Sequence, residues 1–267
     1  MGHVTGDGTV GKALSVLDQV AAFGRPVRFG ELLAQSSYPK PTLYRFVQTL
    51  TNQHMLTYDP EQQTYALGIR LVRLAHAAWE QSTLAPIARP HIDALSAAVG
   101  ETVHLAQLDN AQVLYIDKRN AGNPVQMYSQ AGKVGPAYCT GVGKAMLAFS
   151  APDVADRIIA QQSFHRFTPQ TLDNAKALRD ELQNIRINGY GFDREEHEPG
   201  IICIATPILS ESGRVLGALS VTSTTARTNL AGLEGYVPIL QDTATDIARD
   251  ARNWSFPDYE TKETTRM

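Results

Sequence analysis

Four apolar residues, Leu43, Phe46, Val47 and Leu50, stand at i, i+3, i+4 and i+7. That spacing places them in one stripe along a helix, and the stripe must be buried by something. Pro39 and Pro41 lie at the start of this helix, where no intrahelical N–H is needed. The preceding residues supply the partners. Ala13, Leu14, Val16, Leu17, Val20, Ala21 and Phe23 recur at helical spacing from Gly11 onward, and Gly24-Arg25-Pro26 ends the run. A short second helix carries Phe29, Leu32 and Leu33, and Ser36-Ser37-Tyr38-Pro39 reads as a turn. After the third helix come two extended pieces, His54–Tyr58 and Thr64–Leu67, separated by the polar stretch 59–63. Three helices followed directly by a hairpin is the element order of a winged helix-turn-helix.

The outward side of the third helix then offers Lys40, Thr42, Tyr44, Arg45 and Gln48. Arg45 suits the paired acceptors of guanine in a major groove, and Gln48 suits adenine. Lys40, Thr42 and Tyr44 sit near the helix start, where free backbone N–H groups favour phosphate. Alone, the same pattern also fits a solvated helix face. The ordered set of helices, turn and hairpin favours double-stranded DNA as the partner. Charge agrees in sign. Residues 1–75 hold seven Lys/Arg and five Asp/Glu, a net +2, and the whole chain is at −3, which leaves −5 for the rest.

Beyond residue 67 the pattern changes. Residues 68–82 form another amphipathic stretch, read as a linker helix. Pro86 and Pro90 interrupt the chain before a helix that ends at Val99-Gly100. Strands are expected at 102–107, 113–116, 125–128, 191–194, 201–209 and 215–222. Helices are expected at 142–149, 152–161, 171–188 and about 234–252. The first eight residues read as a flexible arm and residues 255–267 as a disordered tail. The expected map is a winged helix-turn-helix over 9–67, a linker helix over 68–82 and an α+β domain over 83–254. No apolar run approaches the ~18 residues that span a bilayer, and no leader pattern is visible, so a cytoplasmic location with no membrane partner is expected. The two cysteines, Cys139 and Cys203, do not suggest a disulfide framework.

Three segments of the second domain carry site chemistry. Cys139-Thr-Gly-Val-Gly-Lys-Ala145 places glycines before a helix, where N–H groups and the helix dipole suit a carboxylate. It is not a nucleotide-binding P-loop, because Tyr138 and Ala145 stand where that motif needs Gly and Ser/Thr. A plain tight turn fits the same residues. The stretch Asp193–Glu198 is dense in charge and reads mostly as a solvated loop. Ser220 and Thr222 alternate on a strand, so their hydroxyls share a face.

The stretch KALSVLDQVAAFGRPVRFGELLAQSSYPKPTLYRFVQTLTNQHMLTYD, followed by YALGIRL, resembles the DNA-binding domain of IclR-family regulators. The resemblance continues through GVGKAMLA, GYGFDREEHEPGIICIATPI and GRVLGALSVT and spans residues 10–250. Pro41 departs from the Ser or Thr usual there, removing a hydroxyl and an N–H. The resemblance implies a GAF-like sensor with an antiparallel sheet and flanking helices, a dimer or tetramer, and a repressor released by a small organic or aromatic acid. It also implies effector contacts at Gly141, Val142, Asp193, Cys203, Ser220 and Thr222, with Met127, Ala137 and Ile201 on the apolar wall.

Three rival readings are weaker. Cys203, His197 and Asp193 invite a thiol enzyme, but Cys203 sits in the apolar run Ile201–Ala205, where cysteine is usually a small hydrophobe. The seven histidines are scattered without ligand spacing, so neither a metal nor a cofactor is expected. A sensor-only protein would lose no DNA function on Arg45→Ala.

Overall fold

The computed structural model describes residues 8–82, 84–123 and 127–252. The chain divides into two compact units at residues 81 and 82. The first contains α1 (Gly8–Ala22), β1 (Val27–Arg28), α2 (Phe29–Gln35), α3 (Lys40–Asn52), β2 (Leu56–Asp59), β3 (Thr64–Leu67) and α4 (Ile69–Ser82). The stripe on α3 is buried against Val16, Leu17 and Val20 of α1, Leu32 of α2, and Leu56 and Tyr65 of the hairpin. The hairpin turns where the Asp59 carboxylate accepts the N–H groups of Glu61 and Gln62 at 2.8 and 3.2 Å. The two-residue strand β1 was not expected. It pairs Val27 with Tyr65 and makes a three-stranded sheet in the order β1-β3-β2. Glu31 fastens the start of α2 by accepting the Arg28 N–H at 2.9 Å.

The second unit contains α5 (Ala85–Val99), β4 (Thr102–Asp109), β5 (Gln112–Arg119), β6 (Val134–Pro136), α6 (Gly141–Phe149), α7 (Pro152–Ala160) and α8 (Ala175–Asn188). It continues through β7 (Gly191–Arg194), β8 (Ile201–Leu209), β9 (Val215–Thr224), α9 (Leu230–Glu234) and α10 (Val237–Asp250). The six strands form one antiparallel sheet in the order β6-β5-β4-β9-β8-β7. α6 and α8 pack on the face carrying Ala205 and Ala218. α5 and α10 pack on each other and against β4, β5, β8 and β9. The fold class is therefore α+β, a helix-turn-helix unit followed by a sheet with flanking helices.

Three expected elements differ, and one helix was not expected. Pro90 lies inside α5. Its missing N–H strands only the carbonyl of Pro86, an exposed residue whose carbonyl can turn to water. The strand expected at 125–128 is absent where it is described. Residues 125 and 126 lie outside the described residues, and Tyr128 spends its N–H on the Glu198 carboxylate and its hydroxyl on the Val134 carbonyl. The edge strand is β6 instead. The helix expected from 171 starts at Ala175, because the Asn174 side chain caps it by accepting the Ala177 N–H at 2.9 Å. The expected last helix is α10, with Pro238 in its first turn, and a short helix that was not expected, α9, precedes it. The expected arm up to residue 7 and the tail from 255 lie outside the described residues.

Leu43 is fully buried at the centre of the first unit. Leu43→Ala is expected to cost that unit about 3 kcal/mol, the usual loss for an emptied leucine site. Urea unfolding followed by circular dichroism measures it, and a loss under ~1 kcal/mol would place Leu43 at the edge of the core.

Candidate nucleic-acid interface and ligand cavity

On α3, Lys40, Tyr44 and Arg45 are exposed, and Thr42 and Gln48 are half-buried. Among the described residues neither Lys40 nor Arg45 is in an ion pair, so both charges remain open to a polyanion. The Tyr44 ring meets Phe29 edge-on with centroids 5.8 Å apart, which steadies it beside α2. The Arg45 guanidinium lies 5.8 Å from the Phe46 ring centre. The Gln48 amide lies near the Tyr65 hydroxyl.

In the second unit, sheet register assembles a cavity. Asp193 of β7 lies opposite Cys203 of β8, Cys203 lies opposite Thr222 of β9, and Ser220 lies opposite His104 of β4. The first turn of α6 closes over this row. A Cβ on Gly141 would stand 2.5 Å from the Cys203 sulfur. On Gly143 it would meet the Ala137 carbonyl oxygen at 2.4 Å. Both positions exclude a side chain, which lets the N-terminus of α6 lie directly on β7 and β8. Gly141, Val142, Asp193, Ile201, Cys203, Ser220 and Thr222 line the cavity. Two residues expected there do not. Ala137 is buried beneath α6 and Met127 is buried in the segment before Tyr128.

Six further residues line it: His104, Tyr115 and Ser129, which no sequence signal marked, and Thr140, His197 and Glu198, which lie in the two segments expected to carry site chemistry. His104 links the polar wall, with Nδ1 hydrogen-bonded to Thr222 at 3.2 Å and Nε2 to Ser129 at 2.9 Å. Burial first, and then the Lys118 charge, hold its pKa down at about 3, so it is neutral. Only the cross-strand register brings it beside Ser220. The cavity is small and partly open, with a volume of about 30 Å³. That suffices for a water or two.

Glu196 corrects the reading of 193–198 as a solvated loop. It is 3% exposed and ion-paired with Lys144 of α6, whose side chain is wholly buried. Glu181 of α8 flanks the same ammonium at 3.5 Å. The Thr168 and Thr171 hydroxyls donate to the Glu195 and Glu196 carbonyls at 2.7 and 2.6 Å. Asp193 accepts the Glu196 N–H at 2.7 Å. Burial, reinforced by the Glu196 charge, pushes the Asp193 carboxyl up to about 7.

The thiol-enzyme reading fails on electrostatics. A nucleophilic thiol needs its pKa lowered. Burial, with Asp193 adding to it, instead pushes Cys203 up to about 12, and Cys139 is also pushed up by burial. Both cysteines are free. Among the described residues, no group of three or more His, Cys, Asp or Glu is placed to hold a metal, and no helix is long and apolar enough to cross a membrane.

A helix-turn-helix with a hairpin, an open cationic α3 and a second unit holding a lined cavity define a DNA-binding regulator of transcription. The chain belongs to the IclR family. Residues 9–60 match the IclR helix-turn-helix domain, and residues 76–249 match the bacterial transcriptional regulator IclR C-terminal domain. The HTH-type transcriptional regulator KdgR of Escherichia coli is 32% identical over 93% of this chain and 95% of its own. The DNA-binding transcriptional repressor YiaJ of the same organism is 30% identical, covering 79% of this chain and 76% of its own. A crystal structure of an IclR homologue from Microbacterium hydrocarbonoxydans, complexed with 4-hydroxybenzoate, matches with a TM-score of 0.77 at 24% identity. That match covers 92% of this chain and 99% of that one. These relatives are regulators and not enzymes.

Removing Lys144 leaves Glu196 buried with only the more distant Arg194 guanidinium, at 4.0 Å, as counter-charge. Lys144→Met is therefore expected to destabilise the second unit by about 3–5 kcal/mol. Adding Glu196→Gln should restore much of that loss. Thermal melting of the single and double variants measures both, and equal melting of wild type and Lys144→Met would show that the pair is dispensable.

Proposed function

We propose that this regulator is a repressor whose grip on its operator is controlled by a small carboxylic acid in the second-unit cavity. One observation carries the reading: Asp193, Ile201, Cys203, Ser220 and Thr222, from three strands, converge with Gly141 and Val142 at the N-terminus of α6 on one small, polar-walled cavity. Helix N–H groups favour an anion. The Ser220 and Thr222 hydroxyls share the facing wall and supply hydrogen bonds to its oxygens. The repressor YiaJ supports the sign of regulation, and the homologue bound to 4-hydroxybenzoate supports an acid as effector. A carboxylate of several carbons exceeds the present volume, so binding entails movement of the segment tied down by Tyr128–Glu198 and Ser129–His104.

The domain map that serves this function is 9–67 for DNA, 68–82 as linker helix and 83–254 for the effector. Self-association fits the same reading. Val10 and Leu14 of α1 are 72% and 47% exposed, and Ile69, Val72 and Leu74 of α4 are 70%, 62% and 50% exposed. A second copy covering these faces would pair two α3 helices for a two-fold operator, and the effector would act by favouring one arrangement of the pair. On DNA, Lys40, Thr42 and Tyr44 hold phosphate, and Arg45 reads a base. Gln48 reads a second base.

Fluorescence anisotropy with DNA from upstream of the gene, over several salt concentrations, tests this. Wild type is expected to bind with Kd near ~10 nM and a steep salt dependence. Arg45→Ala should lose at least ~10-fold in affinity and most of its sequence preference. A panel of small acids should release the wild-type complex. Equal binding by Arg45→Ala would remove α3 from base reading, and failure of every acid to release DNA would remove the cavity from control.

A further inference from the structure

We infer that the cavity takes up its anion together with a proton, with Asp193 acting as a neutral carboxylic acid in the loaded state. The inference rests on the reading of the cavity as a carboxylate site. It makes the sensor's response to its effector weaken as pH rises.

The charge balance around Asp193 carries it. Asp193 is 7% exposed and lines the cavity beside Gly141 and Val142. Among the described residues, no cation lies within ion-pair distance of it. The one buried ammonium, Lys144 from α6, is committed to Glu196 and flanked by Glu181 of α8. Arg194, next in the chain, is ion-paired with Glu181 at 2.7 Å and lies 4.0 Å from Glu196. One further cation stands near the cavity: Lys118 of β5, which donates to the Ser129 carbonyl at 3.0 Å and feels the Glu198 carboxylate. His104 of β4 is neutral. Burial lowers the pKa of His197, which is neutral above its usual range. Tyr115 of β5, Cys203 of β8 and Cys139 before α6 are all pushed up by burial and stay protonated. Glu198 also lines the wall, and its carboxylate holds the Tyr128 N–H at 3.0 Å.

An effector carboxylate therefore arrives beside an Asp193 that no cation pairs with among the described residues. Lys144 is committed to Glu196 and Glu181, Arg194 to Glu181 and Glu196, and Lys118 to the Ser129 carbonyl and Glu198. Two carboxylates so placed retain a proton between them. The proton comes from solvent and resides on Asp193. Its O–H then donates to the bound anion alongside the α6 N–H groups, and no bond is made or broken besides that O–H. The position of the free carboxyl, about 7, agrees with this. Below that pH the acid form is already present and affinity is constant. Above it each anion must bring its own proton, and affinity falls as pH climbs.

Isothermal titration calorimetry of the whole chain with pyruvate, D-gluconate and 4-hydroxybenzoate tests this at about pH 6 and about pH 8. Each titration is run in two buffers of different ionisation enthalpy. An acid that binds is expected to lose about tenfold in affinity between the two pH values, with close to one proton taken up at the higher. Asp193→Asn keeps an acceptor for the Glu196 N–H and gains a permanent donor. It should bind that acid with no more than a ~2-fold difference between the two pH values and no buffer-dependent heat. Binding by wild type with equal affinity at both pH values and no proton uptake overturns the inference and leaves the carboxylate site standing. Absence of binding by all three acids at the lower pH counts against the site itself. The wild-type proton count decides the question even if the variant does not fold.

Discussion

An ammonium with no exposed surface must have a carboxylate beside it, and in this chain Lys144 has Glu196. Much of the second unit's site geometry follows from that requirement. Lys144 belongs to the first turns of α6, and Glu196 belongs to the connection between β7 and β8. Their pairing draws the 193–201 segment down onto the helix start. Asp193 is then turned into the cavity by the Glu196 N–H. The glycines at 141 and 143 make the approach possible, because any side chain would strike Cys203 or Ala137.

A buried ion pair of this kind does not need to stabilise the protein to be kept. Its effect here is positional. It places a carboxyl, a thiol and a helix N-terminus around one small space, and it uses up the only buried ammonium among the described residues while doing so. The thiol is consequently inert and the carboxyl holds its proton far above the usual range, which suits binding and not bond-making. The first unit shows the reverse economy of charge. Its cations on α3 are exposed and, among the described residues, in no ion pair, ready to displace counterions from a phosphate backbone.

Local signals in the chain were legible wherever neighbours along the sequence decide the outcome. The stripe Leu43-Phe46-Val47-Leu50, the prolines at 39 and 41 and the polar stretch at 59–63 marked α3 and its hairpin. The glycines before Lys144 marked the start of α6, and the family motifs located seven of the cavity's lining residues. Other features were not legible. β1 exists because Val27 meets Tyr65 across 38 positions, and β6 exists because the 127–133 segment spends its hydrogen bonds on Glu198, Val134 and Tyr115. His104 has no local sign of a site, since its neighbours alternate like any strand.

The sequence by itself therefore determined the periodic elements, the α+β class, the family and the residue types available at each end of the protein. Helix and strand preferences act over a few residues, so they can be read in order along the chain. Which of those residues meet was decided only by the tertiary structure. The register of β4, β9, β8 and β7 set His104 beside Ser220 and Asp193 beside Cys203. The burial of Lys144 turned Glu196 from a surface charge into a buried partner. Register and burial depend on contacts between residues far apart in the chain, and no local pattern encodes the dielectric in which a carboxyl will finally sit.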